Sequence, residues 1–73
     1  MPLQIVKSAI VGVVAHIAVT EGQRVAKEQA VIMLEIMKME IAAESPAGGV
    51  VTSLFVKLGD TVAEGQPLFS LET

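Results

Sequence analysis

The chain contains two copies of one motif. When the sequence is shifted by 37 positions, residues 12–35 align with residues 49–72 without a gap, and ten of the 24 aligned pairs are identical. A length of 73 residues leaves room for one small core, so the two copies must bury each other's apolar surface. The repeat therefore predicts a single domain over residues 1–73 with internal pseudo-two-fold symmetry.

Each copy has the pattern of short β-strands. Runs rich in valine and isoleucine alternate with turn sequences such as Leu58-Gly59-Asp60 and Ser45-Pro-Ala-Gly-Gly49, in which glycine allows positive φ and proline fixes its own φ. We expect about eight strands, four from each copy. The chain is thus predicted to be all-β.

Residues 30–44 are ambiguous because good helix formers dominate them. In a helix, however, their charged residues would spread around the axis and form no polar face. The stretch also aligns in part with residues 67–72, which begin with a proline. We therefore predict two strands, Ala30–Ile36 and Met39–Ala43, joined at Met37-Lys38. The shift pairs Lys38 with Met1, so we expect the hairpin tip at one end of the molecule and both termini at the other.

Composition excludes several classes of protein. The net charge is −3 and the five basic residues form no stripe, so a nucleic-acid partner is not expected. The longest uncharged apolar run, Ser8–Thr20, is too short to span a bilayer and is interrupted by Gly12 and His16, so we expect no membrane partner. The absence of cysteine fits a reducing compartment, and we expect a cytoplasmic protein.

The sequence contains no recognisable catalytic constellation. His16 is the only histidine, and it aligns with Ser53, so we interpret it as an exposed polar position on a strand. A Gly-x-Ser-x-Gly elbow, a P-loop and a clustered set of metal ligands are all missing from the sequence. We therefore expect no catalytic residue and no metal site.

The predicted hairpin tip has an unusual composition. Two-residue tips favour Gly, Asn and Asp, whereas here Lys38 stands between Met37 and Met39, with Glu35 and Glu40 on either side. From the residues alone, the predicted tip exposes the primary amine of Lys38 between two methionines, which is an uncommon setting for a lysine. An ordinary exposed lysine on a tight turn remains open at this level.

Placed between the two copies, Glu35-Ile-Met-Lys-Met-Glu40 resembles the attachment motif of the biotinyl domains, the biotin carboxyl carrier family. The resemblance spans almost the whole chain and implies the barrel-sandwich hybrid fold, with two four-stranded antiparallel sheets. It further implies that biotin protein ligase attaches biotin covalently to Lys38, with Glu35, Met37, Met39 and Glu40 as recognition residues. The domain would then be a non-catalytic carrier between a biotin carboxylase and a carboxyltransferase.

Three positions depart from the family pattern. Ile36 stands where relatives commonly carry a small residue, and the larger side chain could change how efficiently a ligase modifies Lys38. The segment Ser8–Gly12 lacks a proline that the pattern includes. Glu28 replaces the turn glycine that the second copy keeps as Gly65, and we expect the first turn to be looser or of another type.

Other functions share this pattern in part. A lipoyl domain has the same fold and also presents a hairpin lysine, but it typically places Asp before that lysine and Ala after it. An unmodified docking module of the same fold is a further alternative. Among biotin systems we expect an acyl-CoA carboxylase, with a role in fatty acid biosynthesis; carriers for pyruvate, oxaloacetate or urea systems are the alternatives.

Overall fold

Two four-stranded antiparallel sheets make up the structure, a computed structural model that describes residues 2–73. The strands are β1 (Leu3–Lys7), β2 (Gly12–Ile17), β3 (Arg24–Val25), β4 (Ala30–Ile36), β5 (Met39–Glu44), β6 (Gly49–Leu54), β7 (Thr61–Val62) and β8 (Pro67–Glu72). The all-β prediction and the division of residues 30–44 into two strands are confirmed. Met1, the first residue of the predicted domain, lies outside the described residues.

The order of the strands reproduces the repeat. Sheet A has the order β1-β8-β6-β3 and sheet B has the order β5-β4-β2-β7. A shift of 37 residues converts each strand of sheet A into the strand at the same place in sheet B. Each sheet therefore combines strands from both copies, and the predicted pseudo-two-fold symmetry is confirmed.

The core lies between the sheets and draws on both copies equally. Its fully buried side chains include pairs that the shift relates, such as Val14 with Val51 and Leu34 with Leu71. Each such side chain stabilises the fold by about 1.5–3 kcal/mol relative to exposure. Because the contributions come from both copies, neither half has a core of its own.

Four equivalent tight turns connect the strands. In each, the N–H of the fourth residue donates to the carbonyl of the first, and the side-chain oxygen of that fourth residue accepts from the first N–H. The third residue has positive φ in all four, as a type II turn requires. The fourth residue is Gln23, Gln29, Asp60 or Gln66.

The expectation of a looser or different turn at Glu28 is wrong. Glu28 has a φ of 71°, close to the 86° of Gly65. The turn hydrogen bond, from Gln29 N–H to the Ala26 carbonyl, measures 3.1 Å, as does its counterpart in the second copy. The network around the turn fixes the conformation, so the glutamate adopts a left-handed conformation that a glycine would adopt without strain.

Two buried serines tie these turns to the sheets. Ser8 and Ser45 are related by the shift, and their exposed fractions are 4% and 1%. The Ser8 carbonyl accepts from the Gly65 N–H at 2.7 Å, and the Ser45 carbonyl accepts from the Glu28 N–H at 2.7 Å. In both segments the serine hydroxyl also donates to the carbonyl two residues further on, from Ser8 to Ile10 at 2.6 Å and from Ser45 to Ala47 at 2.7 Å, although the first segment lacks a proline.

Within residues 2–73 all regular structure is β, and no helix is present that could cross a membrane.

Candidate functional site: the Lys38 hairpin

The candidate site is the hairpin formed by β4 and β5. Ile36 pairs with Met39 and Glu35 pairs with Glu40, so the connection between the strands is the two-residue loop Met37-Lys38. This is the junction predicted from the sequence. The long flanking strands explain its position, because six residue pairs align β4 with β5 below the tip.

The tip has a strained backbone. Met37 has a φ of 51° and Lys38 a φ of 66°, and positive φ at both central residues defines a type I′ turn. This turn matches the twist of the flanking strands but favours Asn-Gly, because a left-handed conformation costs a residue with a Cβ about 1–2 kcal/mol. The strand pairing must therefore offset the strain. Strain of this kind concentrates at functional sites.

The tip presents its side chains to solvent. Met37 is 89% exposed, Met39 is 59% exposed, and Lys38 between them is also exposed. Large apolar side chains that are this exposed contribute almost no buried surface to the hydrophobic core. The arrangement surrounds one primary amine with flexible apolar side chains that a partner can cover.

Two carboxylates lie directly below the tip. Glu35 and Glu40 are opposite each other across β4 and β5, both exposed. The same row continues across sheet B through Val13, which pairs with both Glu35 and Thr61. The predicted recognition residues are thus brought together around Lys38 on one hairpin.

Val13 and Thr61 belong to this surface but were not predicted as site residues. Val13 is 39% exposed, which is unusual for a valine in the centre of a sheet. A partial signal was present in the sequence: Gly12 and Val14 point to the other face by alternation, which leaves Val13 outside. Its neighbour Thr61 could not be found in this way, because it comes from the other copy.

Ile36 is half-buried at the last residue pair of the hairpin, where it faces Met39. Alternation directs its side chain to the face opposite that of Glu35. The larger side chain does not prevent the two-residue turn from forming. Its effect on a ligase stays a prediction.

His16 lies on β2 and is exposed, as interpreted from the sequence. In the part of the chain that the structure describes, no three His, Asp or Glu side chains cluster as metal ligands would.

Similarity to known proteins decides the family. Residues 4–71 match the biotin and lipoyl attachment family, described as biotin-requiring enzymes. A biotin carboxyl carrier protein of acetyl-CoA carboxylase from Solanum lycopersicum is 39% identical over 67 residues, which cover 92% of this chain and 96% of that protein. The chain belongs to the biotinyl domain family. The cofactor of biotinyl domains is covalently bound biotin, and the predicted family is confirmed.

Larger proteins contain similar domains. The dihydrolipoyllysine-residue acetyltransferase component of the Azotobacter vinelandii pyruvate dehydrogenase complex is 39% identical over 61 residues, 84% of this chain but 10% of that protein. A single-chain, multi-domain long-chain acyl-CoA carboxylase of known structure superposes with a TM-score of 0.89 at 25% identity, over 97% of this chain and 7% of that one. This biotinyl domain therefore corresponds to a small part of those proteins, and the fold predicted for it is confirmed.

Proposed function

We propose that Lys38 is the residue to which biotin protein ligase attaches biotin, and that the domain then carries a carboxyl group between a biotin carboxylase and a carboxyltransferase. The observation that carries the proposal is the type I′ tip, in which two adjacent residues with Cβ atoms hold positive φ. Stability alone would select Asn-Gly at this turn. A lysine held there at a cost is best explained by a requirement for its amine.

The attachment is an acyl transfer to Lys38 Nζ. The neutral amine attacks the carboxyl carbon of an activated biotin, an amide bond forms, the acyl–phosphate bond breaks, and a proton leaves the nitrogen. Lys38 stands in solvent, away from the interior, so the base and the orienting groups must come from the ligase. Met37 and Met39 offer that enzyme an apolar contact, while Glu35 and Glu40 offer it negative charge.

The carrier role follows from tethering. When bound, biotin supplies a ureido nitrogen that accepts a carboxyl group and gives it up again. The rigid pair of sheets holds Lys38 at a fixed tip, so that an encounter with either active site becomes effectively intramolecular once the domain has docked. The chain thus contributes position and surface and no catalytic group.

An acyl-CoA carboxylase is the partner we favour, with a role in fatty acid biosynthesis and a cytoplasmic location. The similarity to the tomato carrier of acetyl-CoA carboxylase, over nearly all of both chains, supports this choice. Pyruvate, oxaloacetate and urea systems are the alternatives. Identifying the carboxyltransferase that co-purifies with the biotinylated protein separates them, and a partner specific for pyruvate or urea would overturn the choice.

The test of Lys38 is direct. The protein is co-expressed with a biotin protein ligase, its intact mass is measured, and the modified peptide is sequenced by mass spectrometry. We expect one biotin on Lys38 and complete retention on avidin. Lys38→Arg should abolish both without altering the circular dichroism spectrum, whereas Lys7→Arg, Lys27→Arg and Lys57→Arg should have no effect. Biotin on Lys38→Arg protein at another lysine would refute the assignment.

Lipoylation of Lys38 is the second candidate, because one of the similar proteins is a dihydrolipoyllysine-residue acetyltransferase component. The same protein is offered to a lipoate ligase and to a biotin ligase in parallel reactions. We expect transfer by the biotin ligase alone, since Met37 and Met39 flank the lysine. A lipoyl-sized mass increase on Lys38, with none from biotin, would reverse the order of the two candidates.

A further inference from the structure

A groove runs along the side of the molecule beneath the hairpin. It separates β1 from β5, which are the edge strands of the two different sheets. At the tip side it is lined by Ile10, Leu34 and Ile41, and at the other side by Lys7 and Glu44, with a volume of about 210 Å³. We call it the seam groove.

The seam groove breaks the symmetry of the repeat. Lys7 and Glu44 are related by the shift, so the pseudo-two-fold axis passes close to them. The shift pairs Ile10 with Ala47 and Ile41 with Gln4. The symmetry-related positions, which lie toward the termini, therefore have smaller or polar side chains. Ile41 is 38% exposed although it gives the groove much of its apolar wall. The apolar half is the one next to Lys38.

We propose that the seam groove receives the fused ring system of the biotin carried on Lys38 when that group is outside a partner's active site. The proposal rests on the proposed function, because it needs the attachment at Lys38. It assigns the thioether ring to the apolar wall of Ile10 and Ile41. The ureido edge, with two N–H donors and one carbonyl acceptor, then lies toward the Glu44 carboxylate and the Lys7 ammonium.

Reach and size agree with this occupant. Ile41 lies three residues from Lys38 on an extended strand, a distance of roughly 10 Å. The lysyl and valeryl chains supply about ten bonds, each of which advances about 1.25 Å, so the ring system spans the groove from Ile41 toward its charged side. Drug-sized ligands occupy pockets of about 300–1,000 Å³. The smaller groove suits one pair of fused rings on a tether better than it suits a free ligand.

The ring would lie in the groove only part of the time. The groove is open to solvent, and the cofactor must leave it to reach an active site. Burial of one small ring against two isoleucines is a modest interaction, which permits release. The groove would shield the ring between reactions.

Nuclear magnetic resonance of the unmodified and biotinylated protein tests the proposal. We expect amide shifts to change at the tip and also at Lys7, Ile10 and residues 41–44, with nuclear Overhauser contacts between biotin ring protons and the Ile41 methyl groups. Ile41→Asp should remove the distant shift changes and the contacts. The matched control is Gln4→Asp, the same substitution at the position that the shift relates to Ile41, and it should remove neither.

The outcomes separate the two proposals. Mass spectrometry first establishes the adduct; its absence from Lys38 would overturn both proposals. If biotin is on Lys38 but the wild-type shift changes stop at Met37–Glu40, the groove is not occupied and the proposed function stands. The wild-type comparison decides this even if Ile41→Asp fails to fold.

Discussion

The hairpin that carries Lys38 and the opposite pair of strands, β8 with β1, have the same architecture but different ends. Glu35 pairs with Glu40 in the hairpin, and Glu72 pairs with Leu3 at the corresponding place. In the hairpin the chain continues through two residues with positive φ. At the other end the Thr73 N–H donates to the Pro2 carbonyl at 3.1 Å.

This comparison shows where the molecule departs from what stability favours. The hairpin places two carboxylates opposite each other and two side chains in left-handed conformations. Its counterpart has a leucine opposite the glutamate. The two ends share their strand architecture, so that architecture does not explain the unfavourable features of the hairpin, whereas the proposed attachment at Lys38 would explain them. Four sets of substitutions test this comparison and that of the two copies, beginning with the largest expected effect.

Gly49→Ala and Gly12→Ala test the packing of the two ends. A Cβ at Gly49 would overlap the Glu72 carbonyl oxygen, whereas a Cβ at Gly12 would stand 3.0 Å from the Glu35 carbonyl oxygen. We expect Gly49→Ala to lower the free energy of unfolding by about 3 kcal/mol and Gly12→Ala by about 1 kcal/mol. Urea denaturation of both variants measures the difference. Equal losses would mean that the two ends are packed alike.

The double substitution Met37→Asn with Lys38→Gly tests the strain at the tip. These residues adopt the type I′ turn without the penalty that Met and Lys incur, so we expect a gain of about 2 kcal/mol in the free energy of unfolding. Avidin retention should be lost at the same time. Met37→Ala with Lys38→Ala is the control, because alanine removes the long side chains but keeps the strained Cβ atoms. A control that gains as much would show that exposure of the side chains, not the backbone, is the cause.

The sequence was sufficient for the features that the repeat controls. The shift that aligns Gly12 with Gly49 also relates the two sheets, so strand number, strand type and the position of Lys38 could be predicted. The same shift also pairs Ser8 with Ser45, just before the aligned 24 residues, and this identity marks the two serines whose carbonyls accept hydrogen bonds from the turns.

Other features depend on contacts that no local pattern contains. The turn at Glu28 was predicted from the preference of its own residue, but hydrogen bonds to Ser45 and Gln29 determine its conformation. The Val13 and Thr61 part of the site arises where β2 from one copy meets β7 from the other. The seam groove likewise lies between two edge strands that are far apart in the sequence.

Glu28→Gly and Gly65→Glu test the difference between the two copies at their equivalent turns. Both turns require positive φ at this residue and differ in whether a Cβ is present. We expect Glu28→Gly to raise the free energy of unfolding by about 1 kcal/mol and Gly65→Glu to lower it by about 1 kcal/mol. Thermal and urea unfolding measure both changes. A loss of stability in Glu28→Gly would indicate that the glutamate side chain makes a contact worth more than the strain.

Glu40→Gln tests the smallest difference between the two ends, the repulsion between Glu40 and Glu35. Like charges directly opposite each other in a sheet are destabilising, so we expect the substitution to raise the free energy of unfolding by about 0.3 kcal/mol at low salt. Both side chains are exposed, and salt screens exposed charges, so the gain should vanish near 1 M sodium chloride. Glu72→Gln is the matched control, because Glu72 faces Leu3 and has no repulsion to relieve. A gain in Glu40→Gln that persists at high salt would assign it to β-propensity, and the two carboxylates would then carry no electrostatic cost.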